Sequence, residues 1–336
     1  MTGIKDVARA VDMSTATVSR ALRGLPGVSD ETRVRVMETA RRLGYVPSPG
    51  AAALASGKTR TVAVVVPFVT RWFFAAVVEG AEEVLRDRGY DLLLYNLGGD
   101  EAARHRVFET SLLTKRVDAV LVLSLKPSPD ELIRLDHLGR PVTVVGADVP
   151  GWATVRIDDE QAARHATDHL LDLGHRRIAY VGGAVEGVLD FTAPAARLAG
   201  YRAAIEAVGI APDAALEADG SFTVAGGVRA GHRLLSAPER PTAIFAGSDE
   251  MAFGVLRAAR ELGLRVPEDL SVIGIDDHEM SVIFDLTTIA QPVREQGRIA
   301  AQQVLAALTA QYWVPEQVVL PTRLVVRRTT APPSDG

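Results

Sequence analysis

Short apolar runs, rich in Val, Ile, Leu and Ala, alternate with amphipathic stretches over most of the chain from residue 61 onward. The runs occupy residues 61–67, 90–95, 117–123, 142–146, 177–182, 242–247 and 271–275. The amphipathic stretches include residues 73–88, 101–115, 159–173, 195–207, 223–236 and 249–262. Near-continuous apolar runs of this length are typical of parallel strands that are buried on both faces. The alternation predicts a doubly wound α/β body, and its length of roughly 270 residues favours two such lobes.

A body of this kind restricts where a ligand can bind. In open α/β sheets, ligands bind beyond the carboxyl ends of the strands. A cleft between two lobes is therefore expected to be lined by the loops that follow the apolar runs. The chain has 336 residues, of which 47% are hydrophobic, so it can form two large cores and still carry a further small domain.

Residues 4–22 have a different pattern, which predicts two short helices joined by a tight turn. The first helix has an apolar stripe at i, i+3, i+4 and i+7, formed by Ile4, Val7, Ala8 and Val11. Ser14 is a favourable N-cap for the second helix, whose inward residues are Val18, Ala21 and Leu22. Its outward residues are Thr15, Ala16, Ser19 and Arg20. This is the pattern of a helix-turn-helix, whose second helix fits the DNA major groove.

A third helix is expected after Ser29, its predicted N-cap, and before Gly44. Its predicted inner stripe comprises Val34, Met37, Ala40 and Leu43. Residues 47–60 follow as a linker, with Pro and Gly near both ends and a helix-prone AAALA segment between them. This linker is either a disordered tether or a hinge that folds only on DNA.

The charge is distributed unevenly along the chain. Residues 1–60 carry ten Lys and Arg against five Asp and Glu, whereas the rest of the chain carries 27 against 37. A basic head on an acidic body is consistent with a module that binds phosphates, attached to a body that does not bind nucleic acid.

Other functional classes find little support in the sequence. The absence of cysteine excludes disulfides and thiolate metal sites. We see no signal-peptide pattern and no apolar run of about 18 residues, so we expect a cytoplasmic protein that does not contact the membrane. His165 and His169 have the spacing of metal ligands on a helix but are interpreted as solvated residues. With no nucleotide-binding fingerprint and no nucleophile elbow, we expect no metal, no cofactor and no enzymatic activity.

Several blocks then point to one family. They are KDVARAVDMSTATVSRAL at 5–22, HLLDLGHRRIAYVGG at 169–183, SDEMAFGVLRAARELGLRVPEDLSVIGIDD at 248–277 and TTIAQP at 287–292. In order and spacing the chain resembles, over nearly its full length, the LacI/GalR (lactose-repressor-type) family of bacterial transcriptional regulators.

The resemblance implies an N-terminal all-α helix-turn-helix domain and an α/β, two-lobed, periplasmic-binding-protein-like effector domain. The implied boundaries are 1–46 for the DNA-binding domain, 47–60 for the hinge, 61–330 for the effector-binding and dimerisation domain and 331–336 for a tail. Since the chain crosses between the lobes three times in this family, the first lobe would hold about 61–160 and 292–322. The second would hold about 161–291 and 323–330.

The resemblance also assigns DNA contacts. Thr15, Ala16 and Arg20 occupy positions that resemble the family's base-reading residues, whereas Thr17 and Ser19 are expected to bind phosphates. Arg20 could bond bidentately to guanine, with a phosphate contact or a surface ion pair as the alternative. Leu54 matches the hinge leucine that the family inserts into the minor groove, with simple packing as its alternative role.

The cleft residues follow in the same way. Asp276 resembles the acid that binds effector hydroxyls, and Arg197 resembles the arginine that reaches across the cleft. Further positions, each with an alternative role as scaffold or core, are Phe73, Phe74, Asp148, Phe222, Ser248 and Gln291. Arg71 and Trp72 depart from the residues that the family often has, and Arg71 would add a positive charge at the rim. We therefore expect an effector that is bulkier or more acidic than a plain hexose.

The function implied is that of a homodimer on a pseudo-palindromic double-stranded operator, whose affinity is switched by a small effector, a sugar or a sugar derivative. Induction and corepression both remain open, because either follows from which state the effector prefers. A solute-binding receptor would need export, and a Rossmann-type enzyme would need a cofactor fingerprint. Neither feature is seen.

Overall fold

The computed structural model describes residues 2–45, 57–109, 116–184 and 192–334. The contacts divide the chain into two units, Met1–Thr59 and Arg60–Gly336. Leu54 and most of the predicted hinge lie outside the described residues. Within those residues, no helix has the length and apolar character needed to cross a membrane.

The described residues of the first unit form three helices, α1 Ile4–Val11, α2 Thr15–Leu22 and α3 Asp30–Arg42. Their common core consists of Val7, Ala8, Val11, Val18, Ala21, Val36 and Ala40. The Ser14 hydroxyl accepts a hydrogen bond of 3.0 Å from the backbone N–H of Thr17 and so begins α2 as the sequence predicts. Asp12, in the turn before it, has a left-handed backbone with φ 53°. A short second helix is thus held against two others.

The buried face of α3 differs from the predicted stripe. Val34 and Met37, which we expected to point inward, are 54% and 41% exposed, whereas Val36 and Thr39 are buried beside Ala40. Ala40 and Leu43, the other two residues of the predicted stripe, do pack in the core, so periodicity alone placed only half of the stripe correctly. The packing of α3 against α1 and α2 decides the register.

The described residues of the second unit form two six-stranded sheets. The strands of the first sheet are β1 Thr61–Val66, β2 Asp91–Asn96, β3 Ala119–Leu123, β4 Val142–Val145, β5 Ala153–Ile157 and β11 Gln317–Leu320. Their order is β11-β5-β4-β3-β1-β2, and all neighbouring strands are parallel. The helices of this first lobe are α4 Trp72–Asp87, α5 Glu101–Glu109, α6 Pro129–His137 and α11 Val293–Thr309. Apolar clusters cover both faces of the sheet, as expected for a doubly wound lobe.

The second sheet has the order β12-β10-β9-β8-β6-β7, with only the β10–β12 pair antiparallel among the described strands. Its strands are β6 Ile178–Gly182, β7 Glu217–Asp219, β8 Ala243–Ala246, β9 Ser271–Asp276, β10 Thr287–Ala290 and β12 Arg323–Val325. The helices of this second lobe are α7 Asp159–Asp172, α8 Ala193–Ala207, α9 Val224–Leu235 and α10 Asp249–Glu261. Two short 3₁₀ turns, Ala214–Leu216 and Glu279–Val282, complete it.

The described chain passes from one lobe to the other between β5 and α7, between β10 and α11, and between β11 and β12. Three adjacent connections of this kind allow two lobes to move as bodies around a common hinge. Because the other strands of both sheets are parallel, the loops after their carboxyl ends collect at one edge of each lobe. A cavity between the lobes lies at these edges.

Candidate functional site

The outer face of α2 is open to solvent where base-reading residues are predicted. Thr15, Ala16 and Arg20 are exposed, whereas Thr17 and Ser19 are half-buried. The Thr17 hydroxyl lies 2.8 Å from that of Ser14, so it forms part of the helix cap. The arrangement presents three side chains of different chemistry on one short helix. All three remain proposed rather than observed DNA contacts.

Arg20 is held by its own chain in this structure. Its guanidinium donates to the carbonyl oxygen of Pro26, from Nε at 3.3 Å and from Nη2 at 3.1 Å. A bidentate bond to guanine would require Arg20 to leave this carbonyl. The Pro26 carbonyl is exposed, so water can replace Arg20 as its hydrogen-bond donor. Arg20 would then exchange its bonds to this carbonyl for bonds to guanine, and no buried polar group would be left without a partner.

A cavity lies between the two lobes, with an empty volume of about 720 Å³ that includes its solvent-open part. Eight of the nine predicted effector residues line it: Arg71, Phe73, Phe74, Arg197, Phe222, Ser248, Asp276 and Gln291. They come from the segments after β1, β7, β8, β9 and β10 and from α8. The structure thus brings together residues that are up to about two hundred positions apart in the sequence, as the strand-end rule requires.

Asp148 is the ninth, and the structure places it outside this cavity. It is exposed, and its carboxylate faces Arg156 at 3.5 Å and Gln317 at 3.5 Å. These partners lie on β5 and β11, next to a separate surface groove lined by Trp152. The segment after β4 turns its Gly146 toward the effector cavity and Asp148 away from it.

Arg197 is buried at the cavity wall, and its charge is already compensated. Its guanidinium bonds to Asp159 Oδ1, at 2.8 Å from Nε and 2.7 Å from Nη2, and donates to the carbonyl of Gly247. Burial alone would lower the Arg197 pKa, but the carboxylates of Asp159 and Asp276 outweigh burial and raise it. Arg197 therefore stays charged and is held rigidly in one orientation.

Asp276 ends β9 in a backbone conformation that is unusual for a residue with a side chain, with φ 132°. Its Oδ1 accepts a 2.6 Å hydrogen bond from Gln291 Nε2, whose Oε1 in turn accepts from Gln296 at 2.9 Å. Burial raises the pKa of the Asp276 carboxyl more than the nearby Arg197 guanidinium lowers it. A strained, buried acid at the wall of a cavity is typical of a binding site.

Two more cavity residues, Ser124 and Phe222, also have a positive φ of 50°. Ser124 and Phe222 come just after the carboxyl ends of β3 and β7, and Asp276 is itself the last residue of β9. Strain of this kind aims side chains into a cleft in directions that an extended or helical backbone would not allow.

The sequence did not identify several lining residues, notably Ser124, Asp159, Glu250 and Gln296. Asp159 and Glu250 stand in the first turns of α7 and α10, where acidic residues are common because they stabilise the helix. For Glu250 the apolar run at 242–247 just before it was the available signal, whereas no such run was identified before Asp159. Gln296 is on α11 and offered none.

Arg71 and Glu250 approach the cavity from opposite lobes. The Arg71 guanidinium lies 4.2 Å from the centre of the Phe68 ring, and burial lowers its pKa despite the charge of Glu250. Burial raises the Glu250 pKa, with Arg71 acting in the opposite direction. Among the described residues, the lining carries three carboxyl groups, Asp159, Glu250 and Asp276, against two guanidinium groups. The positive charge of Arg71 is thus offset.

Comparisons with known proteins agree with this architecture. Residues 3–48 match the bacterial regulatory proteins of the lacI family, and residues 167–330 match a periplasmic binding protein-like domain. The HTH-type transcriptional repressor CytR of Escherichia coli (strain K12) is 36% identical over 331 residues, or 97% of this chain and 96% of that protein.

Two solved structures extend the likeness to the fold. The Lac repressor dimer bound to operator and the anti-inducer ONPF has a TM-score of 0.86 at 28% identity, covering 98% of this chain and 99% of that one. The complex of the transcriptional regulator CelR with cellobiose has a TM-score of 0.72 at 34% identity, covering 98% of this chain and 100% of that one.

A helix-turn-helix unit and a two-lobed α/β unit with a cavity between its lobes together define a ligand-responsive DNA-binding regulator. The chain belongs to the LacI family of bacterial transcriptional regulators. The predicted family and fold class are confirmed.

Proposed function

We propose that this protein is a transcriptional repressor whose affinity for its operator is set by a small polyhydroxylated molecule bound between the lobes. The observation that carries the proposal is the cavity itself, where Arg197 and Asp276 lie buried at one wall and Phe73 at another. The helix-turn-helix unit in the same chain gives this binding event a consequence on DNA. The regulatory role, and the absence of a catalytic role, are consistent with relatives that are named as regulators.

The lining supports a sugar or a sugar derivative as the effector. Carboxylates accept hydrogen bonds from hydroxyl groups, while guanidinium and amide groups donate to them, so such sets hold adjacent hydroxyls in fixed directions. Phe73, Phe74 and Phe222 supply flat apolar walls against which a sugar ring can pack. The related CelR binds cellobiose, which has this chemistry.

The charges of the lining speak against the acidic effector that Arg71 suggested. Among the described residues, an anion would meet three carboxyl groups, while Nε, Nη1 and Nη2 of Arg197 already bond to Asp159 and Gly247. We therefore propose a neutral effector. Among sugars, sugar acids and nucleosides in a thermal-shift screen, a neutral sugar should raise the melting temperature most, and a larger shift from a sugar acid would contradict this.

We further propose that two copies bind one operator of two-fold symmetry, as in the related Lac repressor dimer. Four exposed apolar residues around the buried Ser281 in the second lobe support a contact between copies: Met280, Val282, Ile283 and Phe284 are 37%, 66%, 71% and 45% exposed. Exposed apolar patches of this kind mark protein–protein contacts. Since operators lie in the bacterial cytoplasm, the proposal places the protein there.

The test uses the full-length protein and genomic DNA fragments. Fragments recovered after several rounds of selection should share an inverted repeat, and binding should weaken steeply with salt because phosphate contacts release counterions. Binding that shows no sequence preference, or no change with any sugar that raises the melting temperature, would contradict the proposal.

A further inference from the structure

An aromatic contact joins the two lobes outside the effector cavity. Trp72 begins α4 in the first lobe, and His278 follows β9 in the second. Their ring centroids lie 4.6 Å apart with an interplanar angle of 36°. A motion that moves the start of α4 away from the segment after β9 must separate these rings.

Each ring is fixed within its own lobe. Trp72 packs against the apolar cluster between the first sheet and helices α4 and α11. The backbone N–H of His278 donates to Asp249 Oδ2 at 2.9 Å, and its Nδ1 accepts from the N–H of Met280 at 2.9 Å. Asp249 is itself held by the hydroxyls of Ser281 and Thr288, each at 2.7 Å.

The stack continues into the second lobe. The His278 ring stands nearly perpendicular to Phe253 at 5.5 Å, and Phe253 lies 4.9 Å from Phe284. The His278 ring is therefore part of a packed series of rings, and it cannot rotate away from Trp72 without disturbing Phe253. Two rigidly mounted rings make a contact that depends on the position of the lobes and not on side-chain freedom.

The two rings of this contact do not line the effector cavity, but the residues on either side of Trp72 in the sequence do. Trp72 lines a neighbouring groove that shares Asp276 and Gln291 with the cavity, and Trp72 itself is absent from the cavity lining. Its neighbours Arg71 and Phe73 both line the cavity. A shift of the start of α4 away from His278 thus carries two cavity residues with it.

We propose that Trp72 and His278 are positioning residues, forming a latch that holds the lobes together in the arrangement where Arg71 and Phe73 face Arg197 and Asp276. The inference rests on the proposed function, since a latch between lobes matters because the cavity between them binds an effector. Trp72 and His278 would thus affect effector binding although neither lines the cavity or belongs to the DNA-binding face. An aromatic pair of this kind shifts a two-state equilibrium by about two- to tenfold beyond the burial of its surface.

The test measures lobe separation without effector or DNA, so it stands even if the proposed function fails. The chain has no cysteine, which allows labels to be placed at engineered sites alone. Ala102→Cys in α5 and Ala225→Cys in α9 are exposed and lie near the helix starts that face the cleft. Spin labels there report the inter-lobe distance in full-length protein, mixed with excess unlabelled protein so that each dimer carries one labelled copy.

We expect Trp72→Ala to increase the population of a longer, broader distance about two- to tenfold relative to the unsubstituted protein. His278→Asn, which keeps an acceptor for Met280, should do the same, and the double variant should add little, because both remove one interaction. Trp72→Phe retains a ring and should restore most of the short distance.

Trp152→Ala is the matched control, because it removes a tryptophan from the first lobe at a groove away from the latch. Unchanged distances in both single variants, additive effects in the double variant, or an equal effect of Trp152→Ala would each overturn the proposal.

Discussion

At the residue scale, the chemistry of the cavity depends on side chains whose partners the sequence does not show. Arg197 and Asp276 were predicted from the family blocks, and the structure places both at the cavity wall. Asp159, which neutralises Arg197 at 2.7 Å, precedes it by 38 positions and resembles any helix-starting acid. Glu250 was missed for the same reason.

Asp148 had the expected residue type, yet its side chain pairs with Arg156 away from the cavity. Residue type and spacing identify candidates, while the direction of each side chain depends on the backbone around it.

The first residue-scale prediction concerns the cost of keeping Asp276 charged. Because burial raises its folded-state pKa above the unfolded value, the carboxyl contributes less stability as the pH rises through the folded pKa. Asp276→Asn does not titrate and can still accept from Gln291. We expect the variant to have a higher free energy of unfolding than the parent at about pH 8, with the difference shrinking toward about pH 5. Urea denaturation at both pH values measures it, and a difference that grows on acidification would refute the assignment.

A second prediction concerns Arg20. If it bonds bidentately to a guanine, Arg20→Lys should weaken operator binding about tenfold or more while leaving binding to non-specific DNA nearly unchanged. Fluorescence anisotropy with operator and scrambled duplexes measures both. Arg23→Lys, one turn along and bonded to the Ser19 carbonyl at 3.2 Å, is the matched control. Equal losses on both duplexes would show that Arg20 contacts phosphate.

At the element scale, the apolar patterns of the sequence predict where helices and strands occur better than they predict which of their faces are buried. The apolar run at 90–95 was expected to form a strand buried on both faces, but Asp91–Asn96 is an edge strand with exposed positions. Sheet order decides this, and strand composition alone does not reveal it. In α3 half of the predicted stripe was wrong, because Val34, Val36 and Met37 offered two apolar stripes. In contrast, α4 and α11 pack so closely that a Cβ at Gly80 would collide with the Arg294 backbone. Such contacts between distant elements are set by tertiary packing.

The element-scale prediction separates two helix caps. The Ser14 and Ser29 hydroxyls accept from Thr17 and Thr32 at 3.0 and 3.3 Å. Ser14→Ala and Ser29→Ala should each destabilise the N-terminal unit by about 1 kcal/mol. Only Ser14→Ala should also weaken operator binding at a temperature where both variants are folded, because α2 carries the proposed base-reading face. Circular dichroism melting and anisotropy measure the two effects, and equal operator affinities would contradict the role of α2.

At the scale of the whole molecule, sequence order and sheet order together explain how one chain forms two lobes with a cavity between them. The sequence predicted two lobes from length and alternation. The strand exchange that joins them, with β11 in one sheet and β12 in the other, entered only through the family resemblance. Beyond the single chain, we propose that two copies form a dimer through the exposed apolar residues between 280 and 284.

The corresponding prediction is that Ile283→Asp shifts the protein toward monomer. Ile283 is 71% exposed, so the change should cost little within one copy but would bury a charge between two. Sedimentation velocity at micromolar concentration measures the distribution. Val208→Asp, at a residue 50% exposed in the same lobe but outside the segment, should leave the dimer intact. A dimer that survives Ile283→Asp would place the contact elsewhere.

We propose that occupancy of the cleft controls binding to DNA. The direct test is to measure operator affinity at rising concentrations of the sugar that gives the largest thermal shift. The unsubstituted protein and Asp276→Asn are compared at one salt concentration. We predict that the sugar changes the affinity of the unsubstituted protein by about fivefold or more, which is within the usual range of allosteric coupling. The variant should bind the operator but ignore the same sugar. An affinity that never changes with the sugar, or that changes equally in both proteins, would contradict the account.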